Sequence, residues 1–426
     1  MNINNVKFLT IFITLIVFQI TIKAQAVNNY YREIVYKKNI RTVLFHQKGN
    51  QLSNPNIRLN SEERVVLSFD DLNNDPIDYY YTITHCNKNW RESNLMKSEY
   101  ISGFNENPIT EYDYSFNTLV PYVHYSLELP NDDINITKSG NYVVRIYSDS
   151  SLEDIVLCKR FTIYEPQTTI EYRYKRPLGG NNYQTAQELN LEINTRMMDI
   201  NDPYSQIYVT VLQNNDWNTA RMYNRPDQVR DNVIIYNDHD SMVFKGGNEF
   251  RYLDIKNEKY QSERIKRIGM FNDYYIADLH PDKDLLFEPY FYHRDINGKY
   301  LVKRDLSPNS NLEADYMFVH FTLDYDRRIV LGKPYLYGAL TDWECTGKNM
   351  LTWNEDNRNY EITLMLKQGY YNYKYVIKLP DGKIKHNIFS GTHFDTQNIY
   401  NVYVYYNDPI YRYDRLVSTR TINTKE

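Results

Sequence analysis

Cysteine is scarce: only Cys86, Cys158 and Cys345 occur in 426 residues. An odd, low count excludes a disulfide-built scaffold, and with no Cys-x-x-Cys pair there is no zinc-ligand pattern. Cys86 and Cys158 fall in the same expected unit and could pair if the chain is exported; spacing alone does not decide it. A strong charge of either sign is also missing. The formal net charge of -5 is too mild to point to nucleic acid or a strongly anionic membrane as partner. After residue 26 there is no apolar run of about 18 residues, so no transmembrane segment is expected in the mature chain. Nucleophile and phosphate signatures are absent too. No Gly-x-Ser-x-Gly elbow occurs, Gly179-Gly180 lacks the spaced glycines, Lys and Ser/Thr of a P-loop, and the histidines show no His-Glu-x-x-His spacing.

What the chain has in excess is tyrosine: 43 Tyr against 17 Phe and 4 Trp. Tyr suits half-buried strands, because its ring packs while its hydroxyl reaches a polar partner. Two readings follow, a tyrosine-rich all-β core or a tyrosine-rich contact surface. Short alternating runs with Asn/Asp/Gly/Pro punctuation recur along the whole sequence, which is the signature of tandem immunoglobulin-like or E-set-like β-sandwich modules. Residues 1–26 read as an export signal: Lys7, an apolar core from Phe8 to Ile22, then Ala24 and Ala26 as small cleavage-site residues. Three units are expected after it, at 27–166, 167–328 and 329–426, the first ending at Glu165-Pro166. Tyr290–Tyr292 and Tyr316–Leu323 read as strands of the middle unit, and Tyr400–Tyr406 reads as the strand closing the last one.

The most chemical-looking stretch runs from Ser68 to Phe104, led into by the alternation that starts at Val65. Val65, Leu67 and Phe69 alternate, an Asp/Asn/Pro turn covers Asp70 to Asp78, and Tyr79, Tyr81 and Ile83 alternate again. The pattern predicts a hairpin. Asp71, Asn73 and Asp75 resemble the opening of a calcium loop, but Pro76 replaces the required Gly and Thr82 stands where the bidentate Glu belongs. An Asx-capped turn is the better reading. His85 and Cys86 are adjacent on a strand, so their side chains point to opposite faces and cannot share a proton. Trp90 reads as an aromatic closing a sandwich end. The Lys/Arg-rich segment from Tyr260 to Met270 reads as a solvated face, with a docking patch as the sharper option.

These motifs resemble a known family. FDDL, then D…YxY…HCxxxW and SEYxxGF, continued by SFNTLVPYVHYSLELPNDD, KSGNYVVRIYSD, GGNEFRYLDI, EADYMFVHFTL and LKQGYYNYKYV, resemble the type IX secretion system plug proteins over nearly the whole chain past the leader. The resemblance implies a periplasmic, non-enzymatic protein without a cofactor. It would occlude the periplasmic mouth of the giant outer-membrane translocon barrel, its partner, with Asp70, Asp71, His85, Cys86 and Trp90 as structural motif residues. No catalytic, cofactor-binding or metal-ligating residue is expected. The last unit, with YLYGALTDWE and LKQGYYNYKYVIKLPDGK, is similar to glycogen-binding sandwiches, in which a Trp at the position of Trp343 stacks on sugar. Lys383-Ile384-Lys385 stands where a second stacking Trp would be. The alternative function is therefore a periplasmic polysaccharide-binding protein using Trp343.

Overall fold

The computed structural model describes residues 32–425, and throughout them the chain is β-strand with a few single-turn helices. The expected export signal lies outside the described residues. The first sandwich takes its two sheets from the stretch singled out above. Val65–Asp71 pairs with Ile40–Gln47 on one side and Val123–Leu129 on the other, with Glu111–Tyr114 at the edge. Tyr80–Cys86 instead joins the opposite sheet, beside Gly140–Tyr147, which pairs in turn with Ile155–Tyr164. The expected hairpin is therefore a crossover between sheets. As a hairpin, the two alternating runs would line one face of a single sheet and still need a cover. Placed in opposite sheets, they cover each other. Tyr79 meets Phe69 edge-on at 5.3 Å and Tyr125 at 4.8 Å within that core.

The boundary expected at 328/329 is also corrected. Tyr316–Asp324 pairs with Asn359–Lys367, so a division there would cut one sheet in two. Ile399–Asp408, expected to close the last unit, pairs instead with Ile207–Gln213 and with Tyr413–Asn423. The middle sandwich thus packs the sheet containing Thr169–Lys175 and Ala186–Asn194 against one whose last two strands come from the chain's far end. Its core combines Leu191 and Ile193 with Val209, Tyr400 and Val402. Between its two halves the chain leaves and builds a third sandwich. One sheet of that insert holds Tyr274–Leu279, Tyr316–Asp324 and Asn359–Lys367; facing it is Gly369–Lys378 with Arg251–Asp254, Tyr300–Val302 and Lys333–Tyr337. Alternation marks a strand and its buried face but does not name its partner, so this in-and-out path was not readable. Tyr290–Tyr292 is irregular rather than a strand, with Phe291 exposed.

Tyrosine is the large core residue here. The largest fully buried side chains, among them Tyr79, Tyr125, Tyr316, Tyr337, Tyr373 and Tyr400, are all tyrosines. A buried hydroxyl without a partner costs about 1–3 kcal/mol, and acceptors sit beside most of these hydroxyls, though not that of Tyr236. Tyr373 and Tyr375 both donate to Asp282, at 2.9 and 2.8 Å, and that carboxylate also binds Arg251 and Arg264. Tyr400 donates to Gln187 at 2.6 Å. Buried acids and amides follow the tyrosines into the core.

Candidate functional site at the sandwich junctions

Four of the five motif residues stand at or beside contacts between sandwiches. Asp70, fully buried near the end of Val65–Asp71, accepts from His124 Nδ1 within its own sandwich at 2.6 Å. Across the junction it accepts from Lys367 Nζ and the Tyr316 hydroxyl of the inserted sandwich, each at 2.6 Å. Thr42 reaches the Tyr316 hydroxyl at 2.6 Å, and Lys367 also donates to the Asn311 carbonyl at 2.7 Å and lies 4.0 Å over the Tyr122 ring. Burial pushes the Asp70 carboxyl up, but Lys367 and His124 outweigh it and hold it below the usual carboxylate range. Burial likewise lowers the Lys367 ammonium, and Asp70 offsets part of that. Beside this pair Asp315 accepts the backbone N–H groups of Leu119 and Val120, and Tyr122 donates to the Ala314 carbonyl.

Asp71 serves its own turn: it accepts from Asn39, from the Asn73 N–H and from the Tyr79 hydroxyl, at 2.6, 2.9 and 2.8 Å. His85 is buried with both ring nitrogens engaged. Nε2 faces the Ser139 carbonyl at 3.1 Å and must donate, so Nδ1 accepts from Ser93 at 2.8 Å. Burial pushes its pKa down to about 4, leaving a neutral ring. Tyr413, from the far-end strand of the middle sandwich, packs on that ring edge-on at 5.5 Å. Cys86 is buried and its thiol is pushed up to about 12 by burial, so it is no nucleophile. The pairing left open with Cys158 does not form: both thiols are free. Gly140–Tyr147 lies between their strands, so two strand spacings, roughly 10 Å, separate them laterally, beyond disulfide reach. Trp90, in a left-handed turn (φ 60°), packs edge-on at 4.8 Å against Trp217 of the middle sandwich, with Arg160 4.5 Å over its ring.

The Trp343 ring is also inside. It is 7% exposed and packed edge-on against Tyr337 and Phe250, while the Trp343 carbonyl accepts from Asn218 of the middle sandwich at 2.8 Å. A sugar ring needs an open π face, and this one is covered. In the Lys/Arg-rich segment Arg264 pairs with the buried Asp282, while Lys266 and Arg267 are both exposed, Arg267 pairing with Asp278 at 2.7 Å.

Residues 40–165 match the family described as type 9 secretion system plug protein, first domain. A solved structure, described as a hypothetical protein from Parabacteroides merdae ATCC 43184, is similar over 92% of this chain and 99% of that one, with 30% identity and a TM-score of 0.88. The chain belongs to the type 9 secretion system plug family. Among curated proteins there is no match. A Salmonella alpha-2-macroglobulin reacted with methylamine shares 9% identity over 91% of this chain and 23% of that one, at a TM-score of 0.18, which carries no argument.

Membership makes this protein a secretion-machinery component, and in this plug family member Asp70, His85 and Trp90 stand at joints between sandwiches. Asp70 and Trp90 each reach into a different neighbouring sandwich, a role the sequence reading, which closed one sandwich end with Trp90, did not foresee. Their partners Lys367 and Tyr316 sit in the stretches LKQGYYNYKYV and EADYMFVHFTL but were not singled out as site residues, and Trp217 lies outside every quoted motif. The available signal was a Lys in an otherwise apolar alternating run, LMLK, which implies a buried counter-charge elsewhere. Further joints repeat the pattern. Asp216 accepts from Tyr337 at 2.7 Å, Lys88 pairs with Asp414 at 3.2 Å, and Arg415 pairs with Glu165 at 2.6 Å. Among the described residues no three His, Cys, Asp or Glu side chains gather as metal ligands, and no helix is long and apolar enough to cross a membrane.

Proposed function

We propose that this protein is exported to the periplasm and there occludes the periplasmic mouth of the outer-membrane translocon barrel of the type IX secretion system. The observation that carries the reading is the plug-family match over the first sandwich. The junctions support it physically. A stopper must resist deformation, and three sandwiches tied by buried ion pairs and tyrosine hydrogen bonds form a stiff body. Sealing needs a contact of at least about 1,000 Å² that still releases. The test is permeability: removing the protein in cells that also lack the other gating partners of the barrel should admit small antibiotics or dyes. Unchanged permeability in that background refutes the reading. The polysaccharide alternative loses its support with the covered Trp343 ring.

A further inference from the structure

Between the first sandwich and the insert lies an open cleft of about 490 Å³, inside the range of roughly 300–1,000 Å³ usual for small-molecule sites. Its walls join the two cores: Ile40 and Val43 from the first, Tyr300, Leu366 and Tyr371 from the insert. Val35, Leu340 and Leu364 also line it and are only half-buried, so the packing that closes each core stops short here. Most charges on these walls are engaged. Asp342 accepts from Lys159 at 2.5 Å, Lys367 pairs with Asp70, and Glu33 accepts from the Arg160 backbone N–H at 3.4 Å. Arg41 and Lys348 are the exception: among the described residues neither side chain makes a hydrogen bond or an ion pair. The Arg41 Nε is buried without an acceptor, while its terminal nitrogens stay accessible. The two cations are close enough to repel, since burial and then Arg41 lower the Lys348 ammonium against a smaller pull from Asp342.

Strained backbone places Arg41 on this wall. Its strand breaks register between Arg41 and Leu44, and Thr42 is left-handed (φ 50°), a state a β-branched residue rarely adopts. Bulges of this kind re-aim side chains beside binding sites. This one also turns Thr42 toward the Tyr316 hydroxyl, so the cleft and the Asp70 joint share it.

We propose that the cleft binds a single-chain anionic amphiphile, its hydrocarbon tail along the apolar walls and its carboxylate or phosphate head on Arg41 and Lys348. Two cations alone would be a solvated rim; beside half-buried aliphatic side chains they complete a site with one apolar and one cationic part. A hydrocarbon tail takes those side chains out of water, which a purely polar solute does not. An anionic head relieves the repulsion between the cations, which a neutral head leaves in place, and the planar Arg41 fork suits two oxygens of one head.

Isothermal titration of the purified protein with decanoate, decyl phosphate and decanol, each below its micellar range, tests this. The expected result is one saturable site for decanoate, decyl phosphate or both, at least about tenfold tighter than for decanol. Octanoate should bind about tenfold more weakly than decanoate, as the loss of two buried methylenes implies. Decanoate alone points to a free fatty acid, decyl phosphate alone to a lysophospholipid-type head. Arg41→Met/Lys348→Met should weaken anion binding at least about tenfold. Lys266→Met, which removes an exposed cation elsewhere, should leave it unchanged. If the double variant fails to fold, the preference for the anions over decanol in the unaltered protein still decides. No saturable binding of either anion, equal binding of decanol, or undiminished binding to folded Arg41→Met/Lys348→Met would overturn the proposal and leave the cleft to water or to a segment of a partner protein.

Discussion

Lys367→Met would remove the ammonium that pairs with the fully buried Asp70 carboxylate and lies over the Tyr122 ring. Breaking a buried pair by deleting one partner costs about 3–5 kcal/mol, because the remaining charge is left uncompensated. The structure sets a ceiling on this cost. Asp70 keeps His124 and Tyr316, and it can escape its charge by taking a proton. At pH 7 that protonation costs about 4 kcal/mol for a carboxyl with an unfolded pKa near 3.9, falling by about 1.4 kcal/mol per pH unit. The loss in Lys367→Met should therefore shrink by about 2–3 kcal/mol between pH 7 and pH 5. The unaltered protein should show no such change there: its Asp70 lies below the usual range, so that contribution is complete above about pH 4 and fades only as pH falls through the lower, folded value. The double variant Asp70→Asn/Lys367→Met, with no buried charge, should recover most of the loss. Urea unfolding followed by tryptophan fluorescence is suited to this, because Trp90 and Trp217 meet at a junction. A cost under about 0.5 kcal/mol, or one that does not change with pH, would refute the account of this junction.

Gly298→Ala should destabilise by more than about 1 kcal/mol, read as a fall in melting temperature. Its backbone is left-handed (φ 79°), and an added methyl would run into the Trp343 and Phe250 rings; an unchanged melting temperature would contradict that packing. All three thiols are buried, free and pushed up to about 12 by burial. Ellman's reagent should therefore find none reacting quickly in the folded protein and three after denaturation without reductant; fewer than three would reveal a disulfide.

Local pattern was legible wherever burial alone decided it. Tyr371, Tyr373, Tyr375 and Ile377 share a buried face, as their alternation implies, because one sheet side is dry and the period is two. The Asp71 turn was readable for the same reason, since Asx capping is a short-range interaction. Pairing was not readable. Nothing in Ile399–Asp408 says that its neighbour is Ile207–Gln213 rather than the strand closest in sequence. The same limit hid the junctions. Asp70 looked like a turn residue, and only the fold brings Lys367 to it across 297 positions. His85 and Cys86 drew attention as reactive groups, yet burial disarms both.

The inserted sandwich is bound to the rest by two strands of backbone, one entering after Lys245 and one leaving before Ile399. A bead on a single string could be swung aside or clipped off by one proteolytic cut. This one could not: severing either crossing leaves the other, and the far-end strands stay stitched into the middle sheet. On the proposed plugging role, opening a passage would then carry the whole body away and not hinge a flap within it.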